Sequence, residues 1–145
     1  MDNQIIEECQ KKGFDAQWEA LPILKRLGFT FIRQTDWRGK FKLNGHWNMF
    51  EVKCQDPFTP PPFEGHGLPR WQVSSDQEFY KDTGIKTWLM IKDTINKCWL
   101  LQSIDELEKG KYHDTHGPKP RRIYPLTSYR KLSDKVTKAD NARAT

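Results

Sequence analysis

Thr35 to Gln55 reads T-D-W-R-G-K-F-K-L-N-G-H-W-N-M-F-E-V-K-C-Q, and its reading decides the architecture. Asn44 and Gly45 both tolerate positive φ, which suits a two-residue type I′ turn whose twist matches its flanking strands. With that loop Leu43 faces His46, and counting outward sets Asp36 opposite Lys53. Glu51 then lies diagonally from Asp36, about 7–8 Å away at the backbone. Strand side chains alternate, so Glu51 and Lys53 share one face while Phe50, Val52 and Cys54 point the other way. Two carboxylates and an amine thus converge on one side of a hairpin whose other side is apolar. That arrangement can hold a divalent metal with an ammonium beside it. An E-x-K triplet alone says less, since on a strand it is commonly a solvated face with an exposed ion pair. The register-compatible Asp, the apolar back face and a downstream helix with a polar group lift it above that reading.

The 145 residues suit one compact domain with material for a core. Charged residues make up 30% of the chain and hydrophobic ones 36%, so it is polar but able to fold. A net charge of +5 and a pI near 9.1 favour a polyanionic partner. Cys9, Cys54 and Cys98 are odd in number and form no C-x-x-C pair. They read as reduced thiols of an intracellular, cytoplasmic protein, and they spell no zinc ribbon. No apolar run approaches the roughly 20 residues that span a bilayer, and Met1-Asp2-Asn3 opens without a basic-then-apolar signal, so no membrane partner is expected.

Along the chain, Asn3–Lys12 predicts a short helix closed by Gly13. Asp15 caps a second helix reaching Leu27 and Gly28, with Trp18, Leu21, Leu24 and Leu27 along one side and Pro22 as a kink or break. Phe29–Ile32 predicts a strand leading into the hairpin. Arg33, Arg38, Lys40 and Lys42 add positive charge near its arms, as a solvated edge or a phosphate-facing surface does. Gln55–Pro69, with Pro60-Pro61-Pro62 and glycines around His66, reads as a stiffened loop that turns sharply at those glycines. His66 has no assigned role. Leu68 opens a helix running to about Asp82, with Gln72 near its start and Trp71, Phe79 and Val73 or Tyr80 as its buried side.

Ile85–Ile91 and Cys98–Gln102 predict two apolar strands. Ser103 and Glu106 have capping-box spacing for a short helix through Glu108. His113 and His116 lie in a loop with Asp114, but no third and fourth ligand stand at a recognisable spacing. Arg121 and Arg122 precede a short strand at Ile123-Tyr124, Tyr129–Leu132 closes the fold, and 133–145 reads as a flexible tail.

From Glu19 to about Leu132 the chain resembles the PD-(D/E)xK nuclease superfamily. The likeness rests on a helix bearing Glu19, then T-D-x-x-G at Thr35–Gly39, F-E-V-K at Phe50–Lys53, a helix opening R-W-Q, and T-G-I before a hydrophobic strand pair. Within the superfamily it is most similar to RecU-type Holliday-junction resolvases and to small phage and homing endonucleases on the same core. The residue before Asp36 is Thr rather than Pro, and the segment ahead of it is too short for the stalk of a RecU resolvase.

The resemblance implies a restriction-endonuclease-like α/β fold, a mixed central sheet flanked by helices, within residues 1–132. It implies Mg²⁺, replaceable by Mn²⁺, held by Asp36, Glu51 and the Val52 carbonyl, with Lys53 activating water and Gln72 and Glu19 completing the site. The activity implied is hydrolysis of DNA, duplex or branched, with Arg33, Arg38, Lys40, Lys42, Arg70, Arg121 and Arg122 on the DNA side. A homodimer or higher symmetric oligomer is expected, since cutting two strands takes two sites. The rival readings are a catalytically inert DNA-binding module and an RNA-processing nuclease on the same scaffold.

Overall fold

Asn44 and Gly45 do turn the chain, with φ of 51° and 80°, and Leu43 stands opposite His46. The structure, a computed structural model, describes the backbone of residues 3–35 and 38–132 and the side chains of residues 15–31 and 39–132. Asp36 and Trp37 lie outside the described residues, as do the side chains of Arg33 and Arg38 and the segment 133–145.

Strands β1 (Thr30–Thr35), β2 (Arg38–Leu43) and β3 (His46–Gln55) form an antiparallel meander. β3 then pairs in parallel with β5 (Lys86–Asp93), which pairs antiparallel with β6 (Cys98–Ser103). The short β9 (Arg130–Leu132) closes the far edge, giving the order β1-β2-β3-β5-β6-β9. Parallel neighbours need a crossover. Here it is made by β4 (Gly65–Pro69) and helix α2 (Arg70–Thr83).

Each face of this sheet carries its own core. Helix α1 (Asn3–Arg26) lays Ala20 and Leu24 over Phe29, Phe41, Phe50, Met90, Leu101 and Leu132. Phe29 and Phe41 meet Phe50 edge-on at 4.7 and 4.8 Å, contacts worth about 0.5–1.5 kcal/mol each beyond the area they bury. On the opposite face, Leu89, Ile91 and Leu100 pack with Val73 of α2 and with Ile104 and Leu107 of α3 (Ile104–Lys109). The alternation is legible within single strands, where Met90 goes to one core and Leu89 and Ile91 to the other. Ser103 caps α3 as its spacing predicts, accepting a hydrogen bond from the Glu106 N–H at 3.2 Å.

Three sequence expectations need correction. α1 is one helix through Gly13 and Pro22 rather than two. Gly13 is not among the positive-φ glycines, whereas Gly28, at φ 97°, ends the helix. Pro22 is exposed, so the carbonyl it leaves without a donor can turn to water. Trp71 is 65% exposed, and the buried residues of α2 are Gln72, Val73 and Asp76. The third correction concerns Gln55–Pro69, which is not wholly a loop. β4 forms a second sheet with β8 (Arg121–Pro125) and β7 (His113–Asp114), in the order β4-β8-β7. Gly65 and Gly67 sit in that strand because a Cβ on either would overlap the β8 backbone, at the Tyr124 and Arg122 carbonyls respectively.

Buried polar contacts fasten the second sheet to the first. His66 is fully buried, with Nε2 donating to Asp93 Oδ2 at 2.7 Å and Nδ1 2.9 Å from Gln55 Oε1. The Tyr129 hydroxyl donates to the His66 carbonyl at 2.7 Å. His66 is therefore a structural clasp. Burial pushes the Asp93 carboxyl up, but hydrogen bonds from Asn96 and His66 outweigh it and hold the group below its ordinary range. Arg122 is also engaged. Its guanidinium donates to both carboxylate oxygens of Asp114 at 2.8 and 3.0 Å and to Glu108 at 2.8 Å, and it stacks on Tyr112.

Asp93→Ala should lower unfolding stability by about 3 kcal/mol in urea titrations, because it strands buried donors. Since the folded-state carboxyl is depressed, its contribution is present above the ordinary value of 3.8 and is lost as pH falls through the lower folded value. The wild type should thus lose more stability below pH 3.8 than the variant. Arg122→Ala should cost about 2–4 kcal/mol by the same measurement, since it leaves two half-buried carboxylates without their shared cation.

Candidate active site

β3 lies inside the sheet, and Glu51 on it is 1% exposed. A carboxylate so placed must be compensated, because desolvating an ion costs several kcal/mol. Two side chains do this. Lys53, two residues on and therefore on the same face, brings Nζ to 3.3 Å from Glu51 Oε1. Gln72, in the first turn of α2 and 3% exposed, donates from Nε2 to the same oxygen. Strand alternation alone puts Lys53 beside Glu51, and the structure brings Gln72 of α2 to the same carboxylate.

The location follows from the fold. In the ladder Glu51 stands between Arg38 of β2 and Leu89 of β5. The described pairing of β2 with β3 ends at Arg38 and Glu51, and the strand continues from Val52 to Gln55. The Val52 carbonyl belongs to this stretch. α2 crosses the Glu51 face because β4 ends at Pro69, where the Arg70 N–H donates to the Pro120 carbonyl at 3.0 Å. Gln72 is thereby carried to the carboxylate.

Among the described residues no cluster of three or more His, Cys, Asp or Glu side chains is positioned to hold a metal ion. The exposed His113 and His116 join no such cluster. In kind, a buried carboxylate fits a hard cation, which prefers oxygen ligands. Asp36, the second expected carboxylate, lies outside the described residues.

Glu19 is not brought to this face. It pairs with Lys92 at 2.5 Å, and Lys92 stands beside Cys54 on the side of the sheet that α1 covers. A one-residue step along a strand changes the face, which sequence spacing on a separate helix does not reveal. The basic residues divide. Lys42 and Lys40 lie opposite Trp47 and Met49, on the same face as Glu51 by the pairing register, and Lys42 Nζ sits 4.8 Å over the Trp47 ring. By backbone register Arg33 pairs with Lys40. Arg70 is half-exposed and reaches Asp114 at 3.6 Å.

Arg121 behaves unlike its neighbour Arg122. Its Nη2 donates to the Gly67 carbonyl at 3.0 Å and its Cζ lies 5.5 Å over the Phe58 ring. Burial pushes its guanidinium below the usual arginine range, while the charge of Glu51 pulls the other way. Sequence reading marks Arg121 as a basic residue before a strand, and the resemblance sets it on the DNA side. Its contact with Gly67 arises from the β4–β8 pairing, for which glycine-flanked His66 gives no period-two signal.

No protein-family model matches the chain, and no curated protein matches it in sequence. Among solved structures it is similar to Hjc of Archaeoglobus fulgidus, a Holliday junction resolvase from an archaeal hyperthermophile. The TM-score is 0.58 over 83% of this chain and 92% of that one, at 15% sequence identity. At that identity the likeness speaks for architecture. A mixed central sheet between helices, with β3 and β5 in parallel at its centre, gives this chain the restriction-endonuclease-like fold that it shares with the archaeal resolvase.

Proposed function

We propose that the protein is a divalent-metal-dependent DNA endonuclease, with branched DNA such as a four-way junction as its first candidate substrate. The observation that carries this reading is the meeting of buried Glu51 with Lys53 and Gln72 at one point of the fold. The structural likeness to a Holliday junction resolvase supports the branched substrate.

Glu51, Asp36 and the Val52 carbonyl would hold Mg²⁺, with Mn²⁺ able to substitute. Such an ion, when bound, polarises a phosphodiester oxygen and lowers the pKa of a coordinated water. Gln72 fixes the Glu51 carboxylate in one orientation, because its amide is itself buried and held by α2. Lys53 remains about a third exposed, so its ammonium can meet both the carboxylate and an incoming phosphate. There it would orient the attacking water and stabilise charge developing on phosphorus-bound oxygen. Lys40, Lys42 and Arg70, with Arg33 and Arg38, would track the backbone of the DNA. Two strands cut symmetrically would take a homodimer or higher oligomer.

The test is cleavage of supercoiled plasmid, four-way junction, linear duplex, single strand and RNA, with Mg²⁺ and with chelator. Chelation should abolish cutting, Glu51→Gln should remove it, and Lys53→Ala should lower the rate by about 10²–10³-fold with circular dichroism unchanged. Preference for the junction supports the resolvase reading, and cutting at one duplex sequence makes it a sequence-specific enzyme. Binding without any cutting would make it an inert module. Lys42→Ala should weaken binding across substrates alike and reduce the salt slope by about 1.

A further inference from the structure

The face of the sheet that carries Glu51 continues back along β3 to Met49 and Trp47, since side chains two apart on a strand share a face. Those two residues, with Phe79 of α2 and Ile85 just before β5, wall an apolar recess of about 220 Å³. Solvent reaches it, because Trp47 is 43% exposed and Phe79 and Ile85 are only half-buried. The volume falls below the roughly 300–1,000 Å³ that takes a drug-sized ligand, and it suits one flat ring system.

The chemistry of the walls narrows the occupant. Asn48 also lines the recess, but its amide is engaged at both ends. Its Nδ2 donates to the His46 carbonyl at 3.1 Å, and its Oδ1 accepts from the Trp88 indole N–H at 2.9 Å. What remains is ring and thioether surface, with Lys40 the one charged residue in the wall among the described residues. Lys42, outside the recess, rests its Nζ 4.8 Å over the Trp47 ring. A flat, largely apolar guest with negative charge at its flank fits this combination, and a nucleobase with its adjoining phosphates is such a guest. Aromatic side chains stack on unpaired bases whatever their identity, because every base has a π-face. Position agrees with chemistry. Met49 and Trp47 stand about 7 and 13 Å along the strand from Glu51, so a base seated here belongs to a nucleotide close to a phosphate at that carboxylate.

Resting on the nuclease reading above, we infer that this recess is a nucleobase pocket in which Trp47 stacks one unpaired base beside the cleavage site. A base that is already unpaired enters directly, whereas one in continuous duplex must first be extruded from its stack. The pocket therefore selects DNA by pairing state rather than by sequence, and it makes branched or bulged DNA the substrate class of the site.

The experiment is fluorescence anisotropy in Ca²⁺ with a labelled continuous duplex, the same duplex carrying one unpaired base, and a four-way junction. Wild type is compared with Trp47→Ala and Trp47→Phe. Trp47→Ala should weaken binding to the bulged duplex about ten-fold or more, Trp47→Phe should retain most of the affinity, and the continuous duplex should be little affected by either. The four bases at the bulge should bind alike. An abasic site in place of the unpaired base should weaken wild type to the same degree and Trp47→Ala hardly further. Trp47→Leu keeps apolar bulk without a π-face, so it serves if Trp47→Ala proves unstable in a thermal melt. Equal losses on bulged and continuous duplex, or an abasic loss as large in Trp47→Ala as in wild type, overturn the inference while the nuclease reading stands. Sedimentation that finds wild type dimeric and Trp47→Ala monomeric assigns the recess to a subunit interface and overturns it as well. No binding of any of these DNAs by wild type overturns the nuclease reading and this inference together.

Discussion

A buried carboxylate in the middle of a sheet is the constraint on which this structure turns. Glu51 is surrounded by apolar neighbours along its strand and beside it, Phe50, Val52 and Leu89 among them. It is tolerable there because the chain supplies an ammonium from the same strand and an amide from α2. Each comes from a different element. Their convergence makes the positions of β3 and α2 interdependent, so the polar centre specifies the arrangement of parts that the apolar cores stabilise.

The two faces of the sheet divide the labour. The α1 face is almost wholly apolar, built on Phe29, Phe41, Phe50 and Met90, and it holds β3 rigidly from behind. The other face mixes Leu89 and Ile91 with Glu51 and Lys53, and α2 answers it with Val73 beside Gln72. A site for chemistry gains from that asymmetry, since a carboxylate seated on a well-packed strand keeps its geometry without help from mobile loops.

Much of this was legible in the sequence where the signal is local. Asn44-Gly45 fixed the hairpin register, period two put Glu51 with Lys53, and Ser103 with Glu106 marked α3. What escaped was long-range. β4 is a strand carrying two glycines and a proline, residues that read as a turn, and only the approach of β8 explains them. His66 has no role legible in the sequence because its partners, Gln55 and Asp93, are remote in the chain. Glu19 failed for a related reason, since which face α1 would cover is decided by Phe50 and Met90 and not by anything within the helix.

The parallel pairing of β3 with β5 has a kinetic consequence. The two strands can meet only after the whole segment carrying β4 and α2 has been closed into a loop, and non-local pairings of this kind form late because chain entropy is lost before contact is gained. Until then β3 can exist as one arm of its own local hairpin with β2, and Glu51 is still hydrated. The desolvation of that carboxylate and the arrival of Gln72 to receive it are therefore a single late event. Substitutions at this centre should act mainly on the rate of unfolding, while those in the hairpin turn act on the rate of folding.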